Sequence, residues 1–368
     1  MYDAGHAMDR ALELGESARR HSPPNPWVGC VIVGDGAVVG EGATMPPGGP
    51  HAEIVALERA GSRARGATAF VTLEPCAHHG RTPPCADALV DAGLARVVIA
   101  LEDPDPRVAG AGAARLRDHG IAVEIGAGAD RARESLAPYL HHRRTGRAWC
   151  LVKTAMSLDG RIAAADGSSR WITGPEARAD GHRLRAESQA VVVGAGTALA
   201  DRPALTARDV QPPVDRHPVR VVLDARGRVP AEGPLFDTAV APTLIITTEA
   251  APSHVIDSWR AAGAKVETVA AGAGGVDLEA ALALLGSHGV LQALVEGGAE
   301  VHGALLTAGL VDRVVAYVAP TVLGAGGLDA FGGHRIATLA DAPRWQLRTV
   351  AQLGADIRLE YDCHAGTT

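Results

Sequence analysis

The sequence is poor in aromatic residues and in long apolar runs, and each shortage narrows what the chain can be. Aromatic residues make up 3% of the 368 residues and hydrophobic residues 47%, so the cores must be built mainly from Ala, Val and Leu. No apolar run approaches the roughly 20 residues that a membrane-spanning helix needs, and no signal peptide is recognisable at the N-terminus. We therefore expect a soluble, cytoplasmic protein without a membrane partner.

Charge and cysteine content argue against two further classes. The formal net charge of −7 and the isoelectric point near 6.1 argue against a broad nucleic-acid-binding surface. Five cysteines, of which Cys76 and Cys85 have the spacing of metal ligands, do not make a disulfide framework. A chain of this length is most simply two domains, each large enough for its own core.

The most informative pattern combines a histidine, two cysteines and a carboxylate. His51-Ala52-Glu53 is followed by Pro75-Cys76 and, after eight intervening residues, by Cys85. One nitrogen and two sulfur ligands leave the fourth position of a tetrahedral zinc ion open for water, which is typical of a catalytic site. Zinc allows that water to ionise near neutral pH, and Glu53 is placed to carry protons between the attacking water and a leaving amine. This combination is that of the zinc deaminases that act on nucleobase rings.

Two other interpretations of this pattern stay open. A closed structural zinc site needs a fourth protein ligand, and His78 and His79 lie between the cysteines as candidates. Two cysteines alone are also compatible with buried apolar side chains. The carboxylate, the proline and the three ligands in this order favour the catalytic site.

Helices and short apolar strands alternate along the chain, which predicts an α/β fold. The expected helices cover 3–20, 51–60, a segment with Cys85 in its first turn, a segment near Arg115, 130–144, 175–186, 252–262, 278–286 and 299–308. The expected strands cover 28–33, 37–42, 67–73, 96–101, 121–125, 149–155, 190–193, 219–223, 243–247, 289–295 and 314–318. The basic, polar segment 141–147 predicts a solvated linker, with phosphate binding as the alternative. Domains are therefore expected over 1–145 and 148–363.

Further motifs, in one order over nearly the whole chain, resemble those of the bifunctional riboflavin-biosynthesis deaminase/reductase family. In the first half they are Pro24-Asn25-Pro26-x-Val28-Gly29, His51-Ala52-Glu53 and Leu73-Glu74-Pro75-Cys76-x-His78-x-Gly80-x-Thr82-Pro83-Pro84-Cys85. In the second half they are Lys153-x-Ala155-x-Ser157-Leu158-Asp159-Gly160, Trp171-Ile172-Thr173, Gly196-Thr197-x-x-x-Asp201-x-Pro203-x-Leu205-Thr206 and Glu296-Gly297-Gly298. The eight-residue gap between the cysteines differs from tRNA adenosine and cytidine deaminases, which usually place two residues there.

The resemblance implies a cytidine-deaminase-like three-layer sandwich followed by a dihydrofolate-reductase-like α/β domain, with Zn²⁺ and NADPH as cofactors. It implies hydrolytic deamination of 2,5-diamino-6-(5-phosphoribosylamino)pyrimidin-4-one and then reduction of the ribosyl side chain to ribityl. A homo-oligomer formed through the reductase domain is also expected. A zinc deaminase of another nucleobase with a non-catalytic second domain, and a non-catalytic zinc-stapled module, remain as alternatives.

The resemblance also assigns the site residues. The metal ligands are His51, Cys76 and Cys85, and the catalytic residues are Glu53, Lys153 and Asp201. The cofactor neighbours are Ala155, Trp171, Thr197, Asp201, Gly297 and Gly298. The substrate contacts are Asn25, His78, Arg81, Ser169, Arg185, Leu205, Arg208 and Glu296. For the polar and charged residues among these, an ordinary loop, turn or surface role is the alternative interpretation.

Some of these residues are also supported by local chemistry. Lys153 follows an apolar run in a chain that has only one other lysine, Lys265, which suggests a compact ammonium group in a pocket at the end of a strand. The guanidinium groups of Arg185 and Arg208 fit phosphate oxygens. Asp201 follows a glycine-rich turn.

Two glycine-containing segments are candidates for a dinucleotide-binding site. The segment 295–300 predicts a strand that ends in paired glycines before a helix, a suitable place for a pyrophosphate. The segment 191–196 begins like a Rossmann fingerprint, but Leu199 stands in place of the third glycine, so we reject it.

One position departs from the family pattern. Thr44 stands seven residues before His51, where the family often has a histidine. If that histidine normally holds the substrate, Thr44 contributes only a hydroxyl group.

Overall fold

The computed structural model describes residues 4–78 and 84–363. The chain divides into an N-terminal unit, Met1–Gly146, and a C-terminal unit, Arg147–Thr368. None of the helices in the described ranges is long and apolar enough to cross a membrane.

The described elements of the N-terminal unit alternate between helix and strand. In chain order they are α1 (Ala4–Ala18), β1 (Gly29–Gly34), β2 (Ala37–Ala43), α2 (Ala52–Ala60), β3 (Thr68–Val71), α3 (Cys85–Asp91), β4 (Arg96–Ile99), α4 (Ala111–Asp118), β5 (Ala122–Ile125), α5 (Ala129–Ser135) and α6 (Ala137–Thr145). A short 3₁₀ helix, Gly61–Ala64, follows α2.

A five-stranded sheet with the order β2-β1-β3-β4-β5 forms the middle layer of the N-terminal unit. Successive side chains of a strand face opposite sides. Val31, Phe70 and Val98 pack with α1 on one side, and α2 contacts β1 and β2. Helix α1 lies directly on the sheet at Gly29, where an added Cβ atom would be only 1.8 Å from the Ala11 carbonyl oxygen. These layers match the expected sandwich.

The described elements of the C-terminal unit follow the same alternation. In chain order they are β6 (Trp149–Ser157), β7 (Arg161–Ala163), α7 (Pro175–Ala186), β8 (Ala190–Gly194), α8 (Ala195–Asp201), β9 (Val219–Leu223), β10 (Thr243–Thr247), α9 (Ser253–Ala261), β11 (Lys265–Thr268), β12 (Ala271–Gly272), β13 (Gly275–Val276), α10 (Leu278–Ser287), β14 (Gln292–Val295), α11 (Ala299–Thr307), β15 (Arg313–Ala319), β16 (Leu328–Asp329), β17 (Gln346–Leu353) and β18 (Asp356–Asp362). Short 3₁₀ helices cover Pro234–Phe236 and Leu339–Asp341.

The C-terminal unit is built on a nine-stranded sheet with the order β11-β10-β9-β8-β14-β6-β15-β18-β17. Neighbouring strands are parallel from β11 to β15, and β18 and β17 add an antiparallel hairpin. The carboxyl ends of the adjacent strands β8, β14 and β6 therefore meet at one edge, where ligands of open α/β sheets bind.

Four expectations about local structure are wrong. The single helix over 130–144 is two helices, α5 and α6, because Pro138 lacks the N–H that a continuous helix needs and begins a new one. Most of the predicted linker 141–147 is the last turn of α6, which ends at Gly146 in the left-handed conformation. Lys153 lies in the middle of β6 rather than at its end. Asp201 ends helix α8 rather than lying in a loop.

The buried carboxylate of Glu74 holds the segment after β4 against the end of β3. Glu74 is only 4% exposed. Its carboxylate accepts hydrogen bonds from the main-chain N–H groups of Asp103 at 3.2 Å, Gly110 at 3.0 Å and Ala113 at 3.0 Å. A carboxylate satisfied by several main-chain donors tolerates burial that would otherwise be costly. Cys76 follows two residues later, so this bonding also fixes the chain that carries it.

We predict that Glu74→Gln loosens this segment, because the new NH₂ group faces main-chain donors instead of accepting from them. Loss of such a buried acceptor costs about 2 kcal/mol, which corresponds to about 30-fold faster amide exchange. Hydrogen exchange of peptides spanning 103–113 measures this. Glu102→Gln, at an exposed neighbouring position, is the control. Unchanged protection in Glu74→Gln would contradict the assignment.

Candidate metal and reductase sites

Three chain segments bring the predicted metal ligands together. His51 is the residue that immediately precedes α2, and Glu53 lies in the first turn of that helix. Cys76 lies in the loop after β3, and Cys85 is the first residue of α3. The main-chain N–H of Cys85 donates to the Cys76 sulfur at 3.3 Å. The start of α3 therefore supplies both a ligand and a donor that stabilises the other thiolate.

The ligand atoms fit one tetrahedral zinc ion. His51 Nδ1 lies 3.2 Å from Cys85 Sγ and 3.7 Å from Cys76 Sγ. All three ligand atoms lie within 4.8 Å of one another. Bonds of about 2.3 Å to sulfur and about 2.0 Å to nitrogen separate tetrahedral ligand atoms by about 3.5–3.8 Å. Among the described residues no fourth histidine, cysteine or carboxylate joins this group; His78 is outside it, and His79 lies outside the described residues.

The electrostatics of the cluster favour a thiolate at Cys76 and a proton-exchanging carboxyl at Glu53. A hydrogen bond from the Cys85 thiol lowers the pKa of Cys76 to about 4, and the shared proton raises the pKa of Cys85. Burial, followed by the nearby Cys76 thiolate, raises the pKa of Glu53 to about 7. A zinc cation at the ligands acts in the opposite direction, since it favours the carboxylate.

The expected substrate contacts of the N-terminal unit are only partly described. Asn25 is half-buried in the turn before β1, and its main-chain N–H bonds the Ser22 carbonyl. His78 is half-buried, with its Nδ1 buried and without a hydrogen-bond partner among the described residues. Arg81 lies outside the described residues. The Thr44 hydroxyl bonds the main-chain N–H and carbonyl of Val28, so it ties the end of β2 to the start of β1.

At the reductase edge, two strand-to-helix turns lie side by side. Strand β8 runs through Gly194 into α8, and β14 runs through Gly297 and Gly298 into α11. The Thr197 hydroxyl accepts the Gly298 N–H at 2.8 Å. An added Cβ atom at Gly298 would lie 3.0 Å from that hydroxyl. The glycines at 297 and 298 let the two turns approach closely, and the N-terminus of α11 that follows them is a suitable place for the pyrophosphate of NADPH.

A charged cluster lies beside this edge. The Glu296 carboxylate accepts from Arg185 at 2.5 and 2.9 Å and lies 3.9 Å from the Lys153 ammonium. Burial alone would raise the pKa of Glu296, but attraction to Arg185 outweighs it and lowers that pKa to about 2. Burial lowers the pKa of Lys153, against the attraction of Glu296. Glu296 is therefore held ionised, and Lys153 loses its proton more easily than a surface lysine.

The remaining cofactor candidates are spread around the edge. Ala155 is a half-buried residue of β6, and Ser169 is half-buried two residues before the exposed Trp171. The Trp171 ring lies under the Arg178 guanidinium at 4.7 Å. Arg170 donates to the main-chain oxygen of Asp201, at 2.7 Å. The Asp201 carboxylate makes no hydrogen bond or ion pair with a described residue, so the structure does not join it to the charged cluster.

Sequence reasoning missed the contacts that hold the loop after α8. Leu205 is buried with a φ of 50°, in the left-handed region. The Thr206 carbonyl accepts from Arg185 at 3.1 Å and lies 3.2 Å from His182 Nδ1. The Thr206 hydroxyl accepts from Arg208 at 3.3 Å. The spacing of three residues between His182 and Arg185 on one helix was the only sequence signal for this grouping.

Two family models match the chain. The cytidine and deoxycytidylate deaminase zinc-binding region matches residues 1–101, and the RibD C-terminal domain matches residues 148–359. A riboflavin biosynthesis protein RibD from Chlamydia trachomatis is 48% identical over 86% of this chain and 84% of its own length.

Two solved structures resemble the whole chain. RibD of Acinetobacter baumannii has a TM-score of 0.89 at 39% identity and covers 98% of this chain and 99% of its own. A diaminohydroxyphosphoribosylaminopyrimidine deaminase/5-amino-6-(5-phosphoribosylamino)uracil reductase of Thermotoga maritima has a TM-score of 0.85 at 34% identity and covers 98% of each chain.

The metal cluster and the glycine-lined sheet edge define a zinc-dependent deaminase joined to a reductase. The chain belongs to the RibD family of riboflavin biosynthesis proteins. It is a bifunctional deaminase and reductase of that biosynthesis, acts on a small pyrimidine substrate, and has zinc and NADPH as cofactors. The predicted fold class is confirmed, and the membership favours this function over the two alternatives.

We predict that Cys85→Ser weakens zinc binding and abolishes deamination, because a serine oxygen is a poor substitute for a thiolate on zinc. Metal content after dialysis, measured by mass spectrometry, and ammonia release give the two readouts. Cys30→Ala, at a buried cysteine of the same unit that is outside the cluster, is the matched control. A metal-free preparation that deaminates at full rate would overturn the zinc assignment.

Proposed function

We propose that residues 1–145 deaminate 2,5-diamino-6-(5-phosphoribosylamino)pyrimidin-4-one and that residues 148–363 reduce the ribosyl side chain of the product to ribityl. The observation that carries this proposal is the three-ligand cluster with a buried carboxyl group, Glu53, that is not a ligand. The Thermotoga maritima relative is named for both of these reactions. A coupled assay of ammonia release and then NADPH oxidation tests the pair of activities.

In the deamination, Glu53 is the proton carrier. Zinc held by His51, Cys76 and Cys85 supplies an electrophilic centre that lowers the pKa of water. Glu53 accepts a proton from the attacking water and delivers it to a ring nitrogen. It then takes the remaining proton of the added hydroxyl group and passes it to the amino group, which leaves as ammonia while the ring carbonyl forms. Asn25, His78 and Arg81 are proposed to bind the substrate, through an amide, an imidazole and a guanidinium group.

Replacement of Glu53 by Gln should separate proton transfer from metal binding. The amide keeps the size of the side chain but cannot accept and return a proton, so deamination should fall at least ~10²-fold while zinc stays bound. Initial ammonia release and metal content are measured together, with Glu58→Gln on the exposed side of the same helix as control. Loss of zinc along with activity would instead make Glu53 a ligand or a structural support.

In the reduction, Lys153 and Asp201 are proposed to handle the sugar carbonyl. NADPH supplies the hydride, and Ala155, Trp171, Thr197, Gly297 and Gly298 are its proposed neighbours. Asp201 protonates the alkoxide that develops on the sugar, and Lys153 orients Asp201 or the sugar. Glu296, held ionised by Arg185, accepts hydrogen bonds from the substrate. Ser169, Arg185, Leu205 and Arg208 complete the proposed substrate site, with the arginines facing the phosphate.

The proton assignment can be tested without affecting the other reaction. Asp201→Asn should leave ammonia release unchanged and slow NADPH oxidation about 10²-fold with the deaminated substrate, while NADPH binding stays intact. Lys153→Met, which removes the ammonium group of the other candidate, is measured in the same way. If Asp201→Asn reduces substrate at the parent rate and only Lys153→Met is slow, the proton-handling role belongs to Lys153 and the assignment to Asp201 fails.

We also propose that the chain is a cytoplasmic homo-oligomer, with no nucleic-acid or membrane partner, assembled through the β17–β18 hairpin. β17 is a strand at the edge of the sheet whose Leu347 and Val350 are 49% and 58% exposed. An exposed apolar edge strand is a pairing surface. Val350→Glu should shift the sedimenting species towards monomer, with Val240→Glu, at a valine that is 48% exposed and lies outside the hairpin, as control. A parent protein that sediments as a monomer at micromolar concentration would contradict this proposal.

A further inference from the structure

His182 lies within the group of residues proposed to bind the substrate's phosphate. It is half-buried on α7, three residues before Arg185. Its Nδ1 accepts the main-chain N–H of Arg208 at 3.3 Å and lies 3.2 Å from the Thr206 carbonyl oxygen. Its Nε2 makes no hydrogen bond with any described residue. The ring therefore joins the helix that carries Arg185 to the loop that carries Arg208, and leaves one nitrogen available to a ligand.

The two arginines alone leave a phosphate dianion incompletely neutralised. The Nε and Nη2 groups of Arg185 are both bonded to Glu296, so much of its charge is already compensated. Arg208 is exposed and pairs with no acidic side chain among the described residues. A third positive group beside them adds a charge-assisted hydrogen bond to the anion.

We propose that His182 is a phosphate-binding residue of the reductase site and takes up a proton when the substrate's phosphate binds beside Arg185 and Arg208. The inference rests on the proposed function in one respect, the assignment of these two arginines to the phosphate. His182 contacts the ligand and does not take part in hydride transfer.

The two hydrogen-bond partners of Nδ1 show how the ring can exist in either protonation state. The neutral ring accepts the Arg208 N–H at Nδ1 and carries its proton on Nε2. The protonated ring donates from Nδ1 to the Thr206 carbonyl and from Nε2 to the phosphate. The added proton comes from solvent, and no covalent bond changes.

The charges that face His182 set the direction of the effect. Burial and then repulsion by Arg185 and Arg208 lower the pKa of His182, against the smaller opposing effects of the Thr206 carbonyl and Glu296. The free site therefore holds a neutral ring at neutral pH. The negative charge of a bound phosphate attracts the protonated ring and raises this pKa. At any pH between the pKa of His182 in the free protein and its pKa in the complex, binding is therefore accompanied by proton uptake.

The test uses the full-length, zinc-loaded protein with NADP⁺ bound and ribose 5-phosphate as the probe. Calorimetry in buffers of different ionisation enthalpy counts the protons exchanged on binding. The probe's own second pKa, about 6, is lowered by a cationic site and so releases protons. The difference between the parent and His182→Gln therefore isolates the contribution of the histidine, since glutamine retains hydrogen-bonding capacity without titrating.

The parent should take up more protons per probe bound than His182→Gln near neutral pH. His182→Gln should bind the probe about tenfold more weakly at pH 6.5 and within about twofold of the parent at pH 8.5. Equal proton exchange by the two proteins, or the same loss of affinity at both pH values, would overturn the proposal and leave His182 a structural link.

Two further measurements separate failure of this inference from failure of the proposed site. Arg185→Gln and Arg208→Gln should each lower the affinity for ribose 5-phosphate. Ribose, which lacks the phosphate, should bind the parent and all the variants equally weakly. If neither arginine variant changes the affinity, the phosphate lies elsewhere and the proposed site itself is wrong. If both arginine variants lower the affinity, but His182→Gln differs from the parent equally at pH 6.5 and pH 8.5, only the role assigned to His182 is wrong. Unchanged deaminase activity and NADP⁺ binding confirm that His182→Gln is folded.

Discussion

The burial of carboxylates is the constraint on which the local order of both units depends, because a carboxylate removed from water needs donors or cations around it. Glu74 and Asp224 each meet this need through three main-chain N–H groups. The donors to Asp224 belong to the loop after β9, and those to Glu74 belong to the segment after β4 and the first turn of α4, so each carboxylate fixes the segment that supplies its donors. Glu296 meets the need through the Arg185 side chain instead. Its carboxylate links helix α7 to the turn after β14, beside the proposed cofactor site.

The same constraint gives two glutamates different chemistry. Burial and then the nearby Cys76 thiolate raise the pKa of Glu53 to about 7, and bound zinc opposes this shift, so the carboxyl group can both accept and return a proton. Glu296 is also buried, but the adjacent Arg185 lowers its pKa to about 2, so it stays an acceptor. Environment rather than residue type therefore separates Glu53, the proposed proton carrier of the deaminase, from Glu296, the proposed binding carboxylate of the reductase.

Sequence patterns predicted most of the regular elements because their apolar periodicity is a local property. The expected positions of Glu53 on a helix and of Cys85 at a helix start agree with the structure, since both depend on nearby residues. The single helix over 130–144 was wrong because a proline within it was given too little weight. The hairpin of β17 and β18 was not predicted, because β17 is largely exposed and lacks a clear alternation, although Ile357, Leu359 and Tyr361 alternate with charged residues in β18.

Residue type and short spacing were enough to predict the candidate reacting groups: three zinc ligands, a carboxyl group beside them, and glycines where a strand meets a helix. These depend on residue type and short spacing, which the chain carries locally. Which distant groups lie together, in contrast, follows from the folded arrangement of the whole unit. Arg185 and Glu296 are 111 positions apart, and His182 and Arg208 are 26 apart. Their contacts follow from the order of strands in the sheet and from the path of one loop, which non-local packing selects and no local pattern encodes.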